Sequence, residues 1–141
     1  MRSRERGLSL LELVAALALV ALLLGLALPS WRRSIAMQDL RYGTEQLATD
    51  LREAQERAKA DRKPYTVALT AGSSTYWVRR SGGGFDHRGE LPRGLAPTAD
   101  VTVTFDAFGK PDETYTIRLQ NRAGTGIVQV SRAGGIEVTL P

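Results

Sequence analysis

The chain has no cysteine and only one histidine, His87. Without cysteine there are no disulfides, no thiolate zinc sites and no thiol nucleophile. The compartment stays open, because an oxidising one permits disulfides without requiring them. A lone histidine leaves histidine-based metal clusters and triads short of members. A phosphate loop needs glycines followed by Lys-Ser/Thr at the start of a helix. Gly82-Gly83-Gly84-Phe85 has neither and reads as a flexible loop. Asp100, Asp106, Asp112 and Glu113 do not have the alternating spacing of a compact calcium loop. No nucleophile is paired with a base. The expectation is a protein that is not an enzyme, with no metal and no cofactor. Repeats and long linkers are also missing.

What the chain does have is one long apolar run. From Leu8 to Leu28 only Ser9, Glu12 and Gly25 are not plainly apolar. As a helix this run is about 31 Å long, enough to cross the hydrocarbon core of a bilayer. Glu12 is costly in such a span, and an intramembrane carboxylate marks a functional site by default. The net charge is +4, and Arg2, Arg4 and Arg6 against Glu5 supply +2 of it. The remainder is only weakly basic.

Three readings compete for the first 29 residues. A secretory signal would use Gly25 and Ala27 for cleavage, but the run is long and holds Glu12, and Pro29 follows closely. A plain signal anchor leaves Glu12 without a role. The third rests on Gly7-Leu8-Ser9-Leu10-Leu11-Glu12-Leu13, which resembles the class III signal sequence of type IV pilins and type II secretion pseudopilins. In that family a glycine precedes the cut, an apolar residue (usually Phe, here Leu8) follows it, Glu stands fifth in the mature chain, and proline is common at the twenty-second position. Gly7, Glu12 and Pro29 fall in that register. The resemblance implies cleavage between Gly7 and Leu8 by a prepilin peptidase and N-methylation of Leu8. It also implies a helix that anchors the chain in the bacterial inner membrane, with the globular part in the periplasm, before entering a filament. A carboxylate at Glu12 can then pair with the new α-amino group of a neighbouring subunit, since burying both charges together costs less than burying either alone.

Beyond the span, Pro29 is expected to kink the helix rather than end it. Trp31 with Arg32 and Arg33 reads as an interfacial anchor. From about Ser34 to Asp61, Leu40, Leu47, Leu51, Ala54 and Ala58 fall on one face of a 3.6-residue period. Glu53 and Arg57 form an i,i+4 pair, and Gly43 is a weak spot. After Lys63-Pro64 the period becomes two. Strands are expected at 65–71, 75–80, around Val101–Phe105, Tyr115–Leu119 and Val128–Val130, and at Ile136–Leu140, with loops and glycine-bearing turns between them. The expected fold is α+β and pilin-like: a long N-terminal helix packed on antiparallel sheets of about six strands. Its segments are 1–7 leader, 8–28 transmembrane and filament-core helix, 29–63 amphipathic continuation and 64–141 β-rich domain.

The stretch Leu47–Ala58, the strand Tyr65–Leu69 and the turn Phe105-Asp106-Ala107-Phe108-Gly109 resemble the GspH/FimT group of minor pilins and pseudopilins. This resemblance implies other pilins and an inner-membrane assembly platform as partners, and a place near the tip of a filament. Some members of the group are implicated in DNA uptake. Here Arg57, Lys59, Arg62 and Lys63 cluster at the helix end, and Arg79, Arg80, Arg88 and Arg93 lie around the glycine loop with Tyr76 and Trp77. That is the composition of a backbone-binding surface. The alternative is a solvated face balanced by Glu53, Glu56, Asp61, Asp86 and Glu90. The arginine-bearing C-terminal segment of the DNA-binding members is reduced here to Arg132, within Ser131-Arg132-Ala133-Gly134-Gly135. Arg79, Arg80 and Arg132 are therefore the candidate nucleic-acid contacts, and DNA binding is not the favoured reading.

Overall fold

The structure, a computed structural model, describes residues 9–141, without the side chains of residues 26–30. One helix, α1 (Leu10–Asp61), precedes eight strands: β1 (Tyr65–Leu69), β2 (Thr75–Arg80), β3 (Asp86–Glu90), β4 (Ala96–Pro97), β5 (Val101–Phe105), β6 (Tyr115–Asn121), β7 (Gly124–Val130) and β8 (Ile136–Thr139). The helix runs on through position 29. The chain divides into two compact units, with the boundary between Ser34 and Ile35. The second unit therefore takes in the C-terminal half of α1 as well as every strand.

The ends of α1 are set by local chemistry. Ser9 stands at the N-cap: its carbonyl accepts from the amides of Glu12 (2.9 Å) and Leu13 (3.1 Å), and its Oγ also accepts from the Glu12 amide. Ser-x-x-Glu is the sequence pattern of a capping box. At the other end Arg62 takes a left-handed conformation (φ 50°), and the Lys63 amide donates to Ala58 O at 3.3 Å. This is a Schellman-type stop without its usual glycine, and Pro64 follows it.

All the strands are antiparallel and form two four-stranded sheets, ordered β3-β2-β1-β5 and β4-β6-β7-β8. In the first sheet the row Val78–Val67–Val103 lies on the inner face; in the second, Val128 pairs with Ile117 and Val138. Except for Val138, which is partly buried and packs against them, these residues join the helical stripe Leu40, Leu47, Leu51, Ala54 and Ala58 in one core cluster. All five stripe positions are buried.

The six expected strands are present, and β3 and β4 are added to them. Both lie in the stretch read as loop. Asp86-His87-Arg88-Gly89-Glu90 has no apolar alternation because β3 is an edge strand that exposes every residue except Gly89. Gly82, Gly83 and Gly84 form the turn of the β2–β3 hairpin, each with positive φ, and Arg80 Nε donates to Gly83 O at 2.8 Å. This is a defined turn rather than the expected flexible loop. Gly43 is likewise no weak spot. A Cβ there would come within 2.8 Å of Pro92 Cδ, and closer still to Leu95. The glycine lets the chain after β3 lie directly on the helix.

Candidate functional site

In the first unit, α1 is apolar on all sides from Leu13 to Gly25. Every described side chain from Leu10 to Gly25 is exposed, including Leu10 (81 %) and Leu17 (61 %). A helix with no polar face needs lipid or other helices around it. Among the described residues, no helix is long and apolar enough to cross a membrane. The run Leu8–Leu28 begins and ends in positions outside that description. Gly7 and Leu8 lie outside the described residues, and so does the side chain of Pro29. Glu12 is exposed in the first turn of α1, where the unsatisfied amides favour a carboxylate. Ser9 escaped the sequence reading as a cap, although its signal, serine three residues before Glu12, was there.

In the second unit, the basic residues at the helix end and around the β2–β3 hairpin are mostly paired. Arg57 meets Glu53 at 2.6 Å, Lys59 meets Glu56 at 2.7 Å and Arg79 meets Asp86 at 3.0 Å; Arg80 meets Asp61 at 3.2 Å and Arg88 meets Glu90 at 3.4 Å. These five acids are the ones the sequence set against the basic cluster. Arg79 also lies over the ring of Trp77, 4.9 Å from its centroid, on the outer face of the first sheet. The Tyr65 hydroxyl and Arg80 together hold the Asp61 carboxyl below the usual carboxylate range. Arg132 is elsewhere: its guanidinium donates to Asp112 O from Nε (3.3 Å) and Nη2 (3.1 Å). Asp86 and Asp61 partly neutralise Arg79 and Arg80, which weakens any pull on a phosphate backbone.

The aspartates tested for calcium are engaged with backbone amides and a tyrosine hydroxyl. Asp100 accepts from the Ala71 amide at 2.7 Å, and Asp106 accepts from the Phe108 and Lys110 amides, both at 2.8 Å. Asp112 accepts from the Glu113 amide and the Tyr115 hydroxyl. Among the described residues, no cluster of His, Asp or Glu could hold a metal ion.

A cleft of about 180 Å³ opens between α1 and the β2–β3 hairpin. Ala54, Val78 and Phe85 give it apolar walls, and Asp50, Glu53, Arg57 and His87 line it as well. Arg57 lies over the ring of Phe85, 4.5 Å from its centroid. Asp50 accepts a short hydrogen bond from the buried Tyr76 hydroxyl, and burial, followed by this bond, raises the Tyr76 pKa. A second residue the sequence reading passed over is Gln55. Its Nε2 donates to Gly109 O (2.8 Å) and Gly134 O (3.2 Å), tying the turns after β5 and β7 to the helix.

Comparison with known proteins finds both a sequence motif and a shared fold. The prokaryotic N-terminal methylation motif covers residues 2–28. Two crystal forms of the type IV minor pilin FimU of Pseudomonas aeruginosa (strain PAO1) share the fold. The P21 form superposes with a TM-score of 0.60 over 73% of this chain and 90% of that one, and the P65 form with 0.57 over 72% and 93%, each at 18% identity. No curated protein sequence matches. The chain thus joins a methylation motif, in which Glu12 stands at the head of an apolar helix, to a minor-pilin fold.

Proposed function

We propose that this chain, carrying a prokaryotic N-terminal methylation motif and folded like a type IV minor pilin, is a subunit of a type IV pilus or a type II secretion pseudopilus, placed at or near the tip. A prepilin peptidase cuts it after Gly7, and Leu8 becomes N-methylleucine. The run Leu8–Leu28 anchors the waiting subunit in the bacterial inner membrane, with the globular unit in the periplasm. On extraction the same run joins other pilins in the filament core, with the inner-membrane assembly platform acting on it. The protein is a structural part and not an enzyme. The observation that carries this reading is the methylation motif lying on a helix whose described side chains from Leu10 to Gly25 are all exposed.

In this scheme Glu12 pairs with the α-amino group of a neighbour's Leu8. Pairing offsets the desolvation that either charge would suffer alone. Glu12→Ala is expected to leave cleavage intact, with mature mass starting at Leu8, and to remove the subunit from sheared filaments. Normal incorporation of that variant would reject the role of Glu12. A mature chain starting after Ala27 would reject the leader. Deleting the chain and scoring protein secretion, twitching and transformation identifies the machine it serves, including the DNA-uptake alternative.

A further inference from the structure

Phe108 is 82 % exposed, yet the turn that carries it is tightly held. Asp106 accepts from the amides of Phe108, Lys110 and Gly109, and Gln55 ties Gly109 O to the helix. Gly109 lies so close to α1 that a Cβ would come within 2.6 Å of Lys59 Cε. An aromatic presented on a preorganised turn loses little conformational freedom when it binds.

The same molecule carries a cleft of a size to take a ring. A void of about 150 Å³ admits a benzene ring, and the cleft beside Phe85 measures about 180 Å³. Its apolar walls suit a ring. The Arg57 guanidinium, already stacked on Phe85 and with its side chain 44% exposed, can take a second ring on its other face. Asp50 and Glu53 line the cleft and outnumber Arg57, which pairs with Glu53, so the cleft is acidic on balance, and Lys110 lies two residues from Phe108. On α1 the cleft-lining positions Asp50, Glu53, Ala54 and Arg57 lie roughly 170° around the axis from Gln55 and Lys59, which meet the turn. Ring and cleft are therefore on opposite flanks of the helix, and Phe108 cannot fill its own cleft.

We propose that Phe108 of one copy of this chain seats in the Arg57–Phe85 cleft of a second copy, head to tail. A contact between two different surface patches does not close on a two-fold axis and continues into an open array unless a rotation closes it into a ring. The contact lies wholly between globular units and is separate from the pairing of Glu12.

The chain's lack of cysteine makes the test direct. Ala107→Cys and His87→Cys are placed on two differently tagged full-length copies, mixed in detergent micelles and oxidised with copper phenanthroline. A mixed disulfide dimer is expected, with yield at least tenfold above the pair Ala107→Cys and Thr102→Cys. Adding Phe108→Ala to the first copy should cut that yield tenfold, and Lys110→Glu should cut it several-fold. Phe108 is exposed, so unchanged thermal unfolding of the full chain confirms that these variants fold. A yield no higher than the control pair, or one insensitive to Phe108→Ala, overturns the proposal. So does Ala107→Cys trapping an unlike pilin in cells without any copy-to-copy product.

Discussion

Residues 10–25 and 36–58 belong to one helix but obey different rules. Apart from Glu12, the first stretch is apolar on every side, and it exposes all its described side chains. The second gathers its aliphatic residues into a stripe that two sheets cover, while Tyr42 is exposed and Glu53 and Arg57 pair at i,i+4 on another face. Folding of the chain accounts for the second pattern and leaves the first unexplained. A helix that stays apolar after its own fold is complete is built for surroundings the chain does not supply.

The sharpest way to break this contrast is to truncate one leucine in each stretch. Leu51→Ala should destabilise the second unit by about 2–5 kcal/mol, the usual range for a buried leucine. Leu17→Ala should stay within about 0.5 kcal/mol in detergent, as for an exposed site. Calorimetry on both variants checks the pair, and equal losses would remove the distinction. A smaller effect is expected at the Tyr76–Asp50 bond, which ties the second stretch to the first sheet. Tyr76→Phe should lose about 1.5–3 kcal/mol, the range for a bond to a charged group. The Tyr76 pKa is raised in the folded state, so this stabilisation is complete below the unfolded tyrosine value near 10 and is lost as pH climbs beyond it. The gap between parent and variant should therefore hold up to pH ~10 and narrow progressively as the pH rises above it. The smallest effect sharpens the end of the helix. Arg62→Gly relieves a left-handed residue and should raise stability by about 1 kcal/mol, read as a higher urea midpoint.

How much of this could be read from the sequence depends on whether a residue's role repeats along the chain. The stripe Leu40–Ala58 and the alternation Tyr65, Val67, Leu69 repeat with their element's period, and both are buried as read. Gly7, Glu12 and Pro29 carried the resemblance by register alone, and a methylation motif matches residues 2–28. β3 left no such trace, because an edge strand with exposed side chains has no apolar face to alternate. Gly43 looked like a helix defect, since its reason is Leu95, 52 residues away. Gln55 carried no signal, because its partners are backbone carbonyls in two distant turns. The basic cluster was visible, but whether Arg79 and Arg80 stood free depended on Asp86 and Asp61, 7 and 19 residues off in sequence.

The two-residue strand β4 has a consequence for how the chain reaches its native state. It belongs to the second sheet, yet it comes between β3 and β5, which both belong to the first. The chain thus visits one sheet, then the other, then the first again, before β6 to β8 complete the second. β5 pairs with β1 over a separation of some 36 residues (Val103 with Val67), and β4 pairs with β6 beyond it. The first sheet has all its strands once Phe105 is made, but the second, begun at β4, waits for β8, and pairings of this range are slow to form. A nascent chain released up to Phe105 still lacks the strands that cover Leu40 and Thr44 near Gly126. The globular unit should therefore appear in a single late, cooperative step, and until then its sticky helical stripe depends on protection from outside the chain.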